Sequence, residues 1–310
     1  MLQQFKEDFW AVSRENRGYY SWAQRERWAL SRATRRKRHH CMGCDDPDAR
    51  ELVDSIFEDG LGLHPLLDPV FAAFARAEAR FLLRFVPQRS HEERLTGNLV
   101  SEIEAALFLT RPTFAELSKE RYGEPREVDF IYYDLSRGGT IEKETGADLG
   151  FILHIDLPDW PRITRYAAFQ AKKIDGTSQL PKKQFQTLHN EFGDAAAYLF
   201  YDMGMQTLMP PMVLSAAALM DRCKNEKDTD SFSVPLDTVD DGLPLSLWLF
   251  SRLATEQAGT AASSFDSAFQ TFTRRLERQR IFGNGRLAIL SVGRPLQITR
   301  NQEVGLNITL

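Results

Sequence analysis

Cysteine, excess charge and long apolar runs are all scarce in this chain. Three cysteines in 310 residues leave one over from any pairing, which excludes a disulfide-stapled scaffold and points to a reducing interior. No apolar run is long enough to span a bilayer. The opening residues are broken early by Gln3, Gln4, Lys6, Glu7 and Asp8, so they lack the apolar core of a secretion leader. These absences predict a cytoplasmic protein without a membrane partner. The formal net charge of −4 excludes a chain that coats nucleic acid by bulk attraction; any such contact must come from local basic patches. A Gly-rich phosphate loop of Walker type is missing, so ATP-driven movement is not expected of this chain, and no internal repeat is visible. What remains is an ordinary globular composition, 43% hydrophobic and 26% charged, at a length that allows a large core or a core with appendages.

Two stretches read as strands and organise the rest. In Gly146-Ala147-Asp148-Leu149-Gly150-Phe151-Ile152-Leu153, Leu149, Phe151 and Leu153 share one face, with Asp148 at the start on the other. In Tyr166-Ala167-Ala168-Phe169-Gln170-Ala171-Lys172-Lys173, Gln170 and Lys172 point the same way, opposite to Phe169 and Ala171. Paired as a hairpin, the two strands would converge a carboxylate, an amide oxygen and an ammonium group. Such a trio can hold a divalent cation and stabilise a negative oxygen beside it. The competing explanation is a structural Asp148–Lys172 ion pair in a plain α/β protein.

Around these strands the elements follow in a definite order. His91 to Leu107 predicts a helix, with Leu95, Leu99, Ile103 and Leu107 on one stripe. A connector with Pro112, Gly123 and Pro125 follows, then a strand over Val128–Leu135. After the Gln-Ala-Lys strand come a loop, a helix from Gln179 to Phe192, and a strand over Ala195–Tyr201. The order is helix, three strands, helix, strand.

The pattern of Asp148 with Gln170-Ala171-Lys172 in this order resembles the PD-(D/E)-x-K superfamily of restriction-endonuclease-like nucleases, in the Q-x-K variant seen in methylation-dependent restriction enzymes. The resemblance covers residues 90 to 202. It implies an α/β (α+β) fold whose core is a mixed four-stranded sheet flanked by helices. It also implies a metal-dependent endonuclease that cuts DNA, with RNA as the other substrate, and a role in bacterial restriction or anti-phage defence. Asp148, the Gln170 carbonyl oxygen and a helix glutamate would hold Mg²⁺ (or Mn²⁺), and Lys172 would serve the hydrolysis. A neutral amide in place of a carboxylate would hold the cation more weakly. Glu92 and Glu93, in a Glu-Glu-x-Leu-Thr segment similar to one in such helices, are the candidates for the helix acid, with Glu102 the alternative. Lys173, Lys182 and Lys183 would face nucleic-acid phosphates. A defence effector also needs restraint, which implies a partner protein or a homo-oligomeric switch. The alternative function is a catalytically weak nucleic-acid-binding or assembly subunit that keeps the nuclease fold.

The flanks are less informative. Residues 1–87 predict a helical, basic region in which Arg35, Arg36, Lys37 and Arg38 form a cationic run, either a phosphate grip or a solvated helix face. Cys41 and Cys44 have half-knuckle spacing for structural Zn²⁺, but the second ligand pair is missing, and two free thiols in a turn are the preferred reading. Residues 88–204 are the expected nuclease core, and 205–310 an α/β C-terminal extension packed on it, with strands over Met212–Ser215, Leu287–Val292 and Gly305–Leu310.

Overall fold

The computed structural model describes residues 64–86, 90–134, 146–203, 210–223, 230–239, 242–279 and 286–296. The cationic run Arg35–Arg38, the cysteines Cys41 and Cys44, and the strand expected at Gly305–Leu310 lie outside these residues.

Two helices lead. α1 (Leu67–Arg84) is followed by α2 (Glu92–Tyr122). Leu95, Leu99, Ile103 and Leu107 of α2 are buried as the periodicity predicts. The helix then runs on through the stretch expected to be a connector. Pro112 costs it one backbone hydrogen bond. Pro112 and the preceding-turn residue Phe108 both stand on the exposed side, where water can satisfy the freed carbonyl. α2 ends only at Gly123, in the left-handed region at φ 79°, with Lys119 and Arg121 in its last turn.

The strands are β1 (Glu127–Asp134), β2 (Leu149–Asp156), β3 (Ile163–Ile174), β4 (Thr177–Pro181), β5 (Ala196–Asp202), β6 (Met212–Ser215), β7 (Ser231–Pro235), β8 (Leu243–Pro244), β9 (Thr260–Ala261) and β10 (Arg286–Gly293). Between them stand α3 (Lys182–Phe192), α4 (Ala216–Cys223), α5 (Leu245–Trp248, continued by a π-turn to Leu253) and α6 (Phe265–Gln279). Eight strands form one mixed sheet in the order β1-β10-β2-β3-β5-β6-β8, with β9 on the first half of β3. This corrects the expectation of a four-stranded sheet. The protein is a mixed α/β fold with a larger sheet, flanked by helices. The expected order of elements from α2 to β5 is present with one addition, β4 between β3 and α3. However, β1 and β2 are not neighbours, because β10 lies between them, antiparallel to β1 and parallel to β2. Residues 205–310, expected as an extension packed on the core, thus put strands into the sheet itself. The helix expected from Gln179 begins at Lys182, since Thr177–Pro181 pairs instead with β7 in a separate ribbon.

α1 and α2 cover the face carrying Leu149, Phe151 and Phe169, and α6 covers the face carrying Ile152 and Ile289. Three polar contacts lock the helices. Glu102 of α2 meets Arg80 and Arg84 of α1, each at 2.9 Å. Glu78 of α1, fully buried, accepts from the Ser246 backbone N–H at 2.7 Å and from its hydroxyl at 2.5 Å, capping α5. Asp159, in the β2–β3 turn, gathers Arg121, Tyr122 and His64, and the His64 Nδ1 accepts the Leu66 N–H at the start of α1.

Candidate metal and phosphate site

β2 and β3 pair antiparallel from Leu149↔Phe169 to Ile155↔Ile163. Extended by one step, this register sets Asp148 opposite Gln170. The ladder stops there, but β3 runs on to Ile174, leaving the N–H groups of Ala171 and Lys173 without a strand partner on that side. Buried backbone donors must be satisfied, and two carboxylates do it. Asp148 Oδ2 accepts the Ala171 N–H at 2.9 Å, and Glu92 Oε1 accepts the Lys173 N–H at 3.0 Å. Residues two apart along a strand are separated by about 7 Å, so both acids are held beside the same end of β3. Glu92 is the first residue of α2, and its own chain end is pinned by Thr96. The Thr96 hydroxyl donates to the Glu92 carbonyl at 3.0 Å and lies 2.9 Å from the Tyr201 hydroxyl. Because the Thr96 proton is committed to Glu92, Tyr201 donates. Burial pushes the Tyr201 phenol up; the Thr96 bond opposes this, the Asp148 charge adds to it and Arg286 opposes it.

The structure brings Asp148 and Gln170 into direct contact, with the Gln170 Nε2 donating to Asp148 Oδ2. The same nitrogen lies 3.4 Å from the Ala171 carbonyl oxygen, and Gln170 Oε1 accepts from Gln184 Nε2 of α3 at 2.9 Å. The amide therefore presents its nitrogen, not the expected oxygen, to the carboxylate. An N–H standing between two oxygens occupies the kind of place a cation would take. Turning the amides of Gln170 and Gln184 over together would keep their mutual hydrogen bond and aim Gln170 Oε1 at Asp148. The donors then available (Asp148, Gln170 Oε1 and the Ala171 carbonyl, with Glu92 nearby) are hard oxygens suited to Mg²⁺ or Mn²⁺. Among the described residues no group of three His, Cys, Asp or Glu side chains stands together for a metal, so an amide and a backbone oxygen are needed to complete such a set.

Lys172 is half-buried on the same face of β3 as Gln170. Among the described residues it forms no ion pair with Asp148, whose Oδ2 is taken by the two N–H donors. Glu93 is 69% exposed, and its Oε2 lies 4.0 Å from Arg286. Glu102, the alternative ligand, is engaged by Arg80 and Arg84; ten residues along α2 put it about 15 Å from Glu92. Lys173 is half-buried on the opposite face of β3 from Lys172. Lys182 and Lys183 open α3, with the Lys182 ammonium 5.1 Å from the Phe232 ring centre and Lys183 exposed. No acidic residue stands in that first turn. Three residues at the site carried no recognised signal in the sequence: Gln184, one polar side chain of an amphipathic helix; Tyr201, in an apolar strand; and Arg286, at the head of β10. No protein-family model, no curated protein and no solved structure matches this chain.

Proposed function

We propose that this chain is a metal-dependent endonuclease that hydrolyses DNA phosphodiester bonds, working in bacterial restriction or anti-phage defence. The observation that carries the reading is the convergence of Asp148, Gln170 and the Ala171 carbonyl at the splayed end of β2 and β3, with Lys172 beside them and in no ion pair among the described residues. Asp148 and the Gln170 oxygen would hold Mg²⁺ or Mn²⁺, with Glu92 close by. A divalent cation there polarises a phosphate and makes nearby water more acidic. Lys172, whose ammonium meets no carboxylate among the described residues, would orient the attacking water and offset the charge that develops on phosphorus-bound oxygen. Lys173, Lys182 and Lys183 offer phosphate contacts on either side of the strand end. Purified protein incubated with supercoiled plasmid, linear duplex, single-stranded DNA and RNA, in Mg²⁺, Mn²⁺ or EDTA and beside Lys172→Ala, tests it. Metal-dependent cutting lost in the variant is expected; cutting that survives in Lys172→Ala would refute the site.

The second reading is a nucleic-acid-binding or assembly subunit with a weak metal site, working beside a partner protein. It is favoured by the Gln170 nitrogen facing Asp148, since that amide can replace a cation outright. A melting temperature that Mn²⁺ does not move would choose it over the nuclease.

A further inference from the structure

Arg286 begins β10 at the same end of the sheet as Asp148. In the register it faces Leu149 on one side and Asp134 on the other. Its side chain is 14% exposed, and among the described residues its one charged contact is Glu93, at 4.0 Å. A guanidinium offers five donors in a rigid fork. Among the described residues it makes no hydrogen bond, so its donors stay available to an anion. The one carboxylate beside it, itself 69% exposed, holds it only weakly. One further neighbour favours an anion. The 31-residue α2 starts beside it, and its N-cap, His91, makes no side-chain capping bond.

We propose that Arg286 binds a backbone phosphate of a nucleic-acid strand, adjacent to the phosphate that would lie at Asp148, Gln170 and Lys172. This deepens the nuclease reading and rests on it. The anchoring cation comes from β10, the strand inserted between β1 and β2, and not from the helix–strand core that carries the other site residues. Arg286 is a binding residue and takes no part in the bond cleavage. Glu93 holds its place in the free protein and swings into water when the phosphate arrives.

The test is fluorescence polarisation with labelled duplex DNA, single-stranded DNA and RNA in EDTA, so that binding is read without turnover. Arg286→Met should weaken binding about tenfold or more and lower the slope of log affinity against log salt by about one phosphate contact. Arg286→Lys should fall between, because an ammonium keeps the charge and loses the fork. Glu93→Gln should tighten binding, since it removes the competing carboxylate. Where Arg286→Met fails to fold, as judged by circular dichroism, Arg286→Lys and Glu93→Gln carry the test. A folded Arg286→Met that binds like the wild type overturns the proposal and leaves the nuclease reading standing. Weaker or unchanged binding in Glu93→Gln also overturns it, since Arg286 would then be only a structural partner of that acid. A wild-type protein that binds none of the three nucleic acids defeats the nuclease reading and this proposal together.

Discussion

Replacing Glu78 by Gln should make the protein less sensitive to alkali. Burial raises the Glu78 carboxyl from 4.5 to about 8, against hydrogen bonds from the Ser246 hydroxyl and from the Ser246 and Leu245 backbone that favour the charged form. The folded state therefore keeps a proton that the unfolded chain releases. For a carboxyl raised in this way, stability is fully present below the unfolded value, falls as pH rises toward the folded value, and is flat above it. From about pH 5.5 to 8 the loss is of order 3 kcal/mol, at about 1.4 kcal/mol per unit. Glu78→Gln removes it. The amide oxygen can still accept the Ser246 N–H, and the amide nitrogen can donate to the Ser246 hydroxyl, so the cap on α5 survives. Urea unfolding of both proteins at about pH 5.5, 7 and 8.5 reads the difference, and all other titrations cancel between them. The variant's stability relative to the wild type should rise by about 3 kcal/mol between about pH 5.5 and 8.5. A difference that stays constant across that range would refute the reasoning.

Lys172→Ala should abolish metal-dependent plasmid cleavage while shifting the melting temperature little, because the side chain gives up no ion pair among the described residues. Asp148→Ala should abolish cleavage as well, but at a cost of about 1–3 kcal/mol in urea unfolding, since it strands the Ala171 and Gln170 N–H donors; equal stability in the two variants would contradict the hydrogen bonds described at the strand end. Thr96→Val keeps the shape and leaves the buried Tyr201 hydroxyl without its partner, so a loss of about 1–3 kcal/mol and weaker Mn²⁺-dependent stabilisation are expected. Burial alone would raise the Asp159 carboxyl, but hydrogen bonds from Tyr122, Arg121 and His64 outweigh it and hold it well below the usual carboxylate range. Its stabilisation is present above about pH 4 and lost as pH falls through the depressed folded value. Asp159→Asn should therefore flatten the acid limb of a melting-temperature profile, and an unchanged limb would count against the cluster.

Local chemistry was enough to read much of this molecule. Alternation of apolar residues marks β2 and β3 because a half-buried strand repeats every two residues, and their antiparallel pairing brings Asp148 to Gln170 by register alone. The leucine stripe marks α2 for the same kind of reason. The length of α2 was not legible. Pro112 reads as a break, and only its place on the exposed side of a helix already packed on α1 makes it tolerable. Nor could the sequence orient the Gln170 amide, because that is decided by Gln184, which arrives from a separate helix.

The sequence by itself determined the repeating patterns, the order of helices and strands from α2 to β5, and the residue types at the end of β2 and β3. The tertiary structure alone decided which strands became neighbours. β10 is apolar along most of its length, so it carries no mark of its partners, and its insertion between β1 and β2 depends on burying both faces of a strand from far along the chain. That choice placed Arg286 at the same end of the sheet as Asp148 and, with β6, β8 and β9, widened a four-stranded expectation into an eight-stranded sheet. Contacts between residues distant in sequence are set by packing of the whole core, and a local pattern contains no record of them.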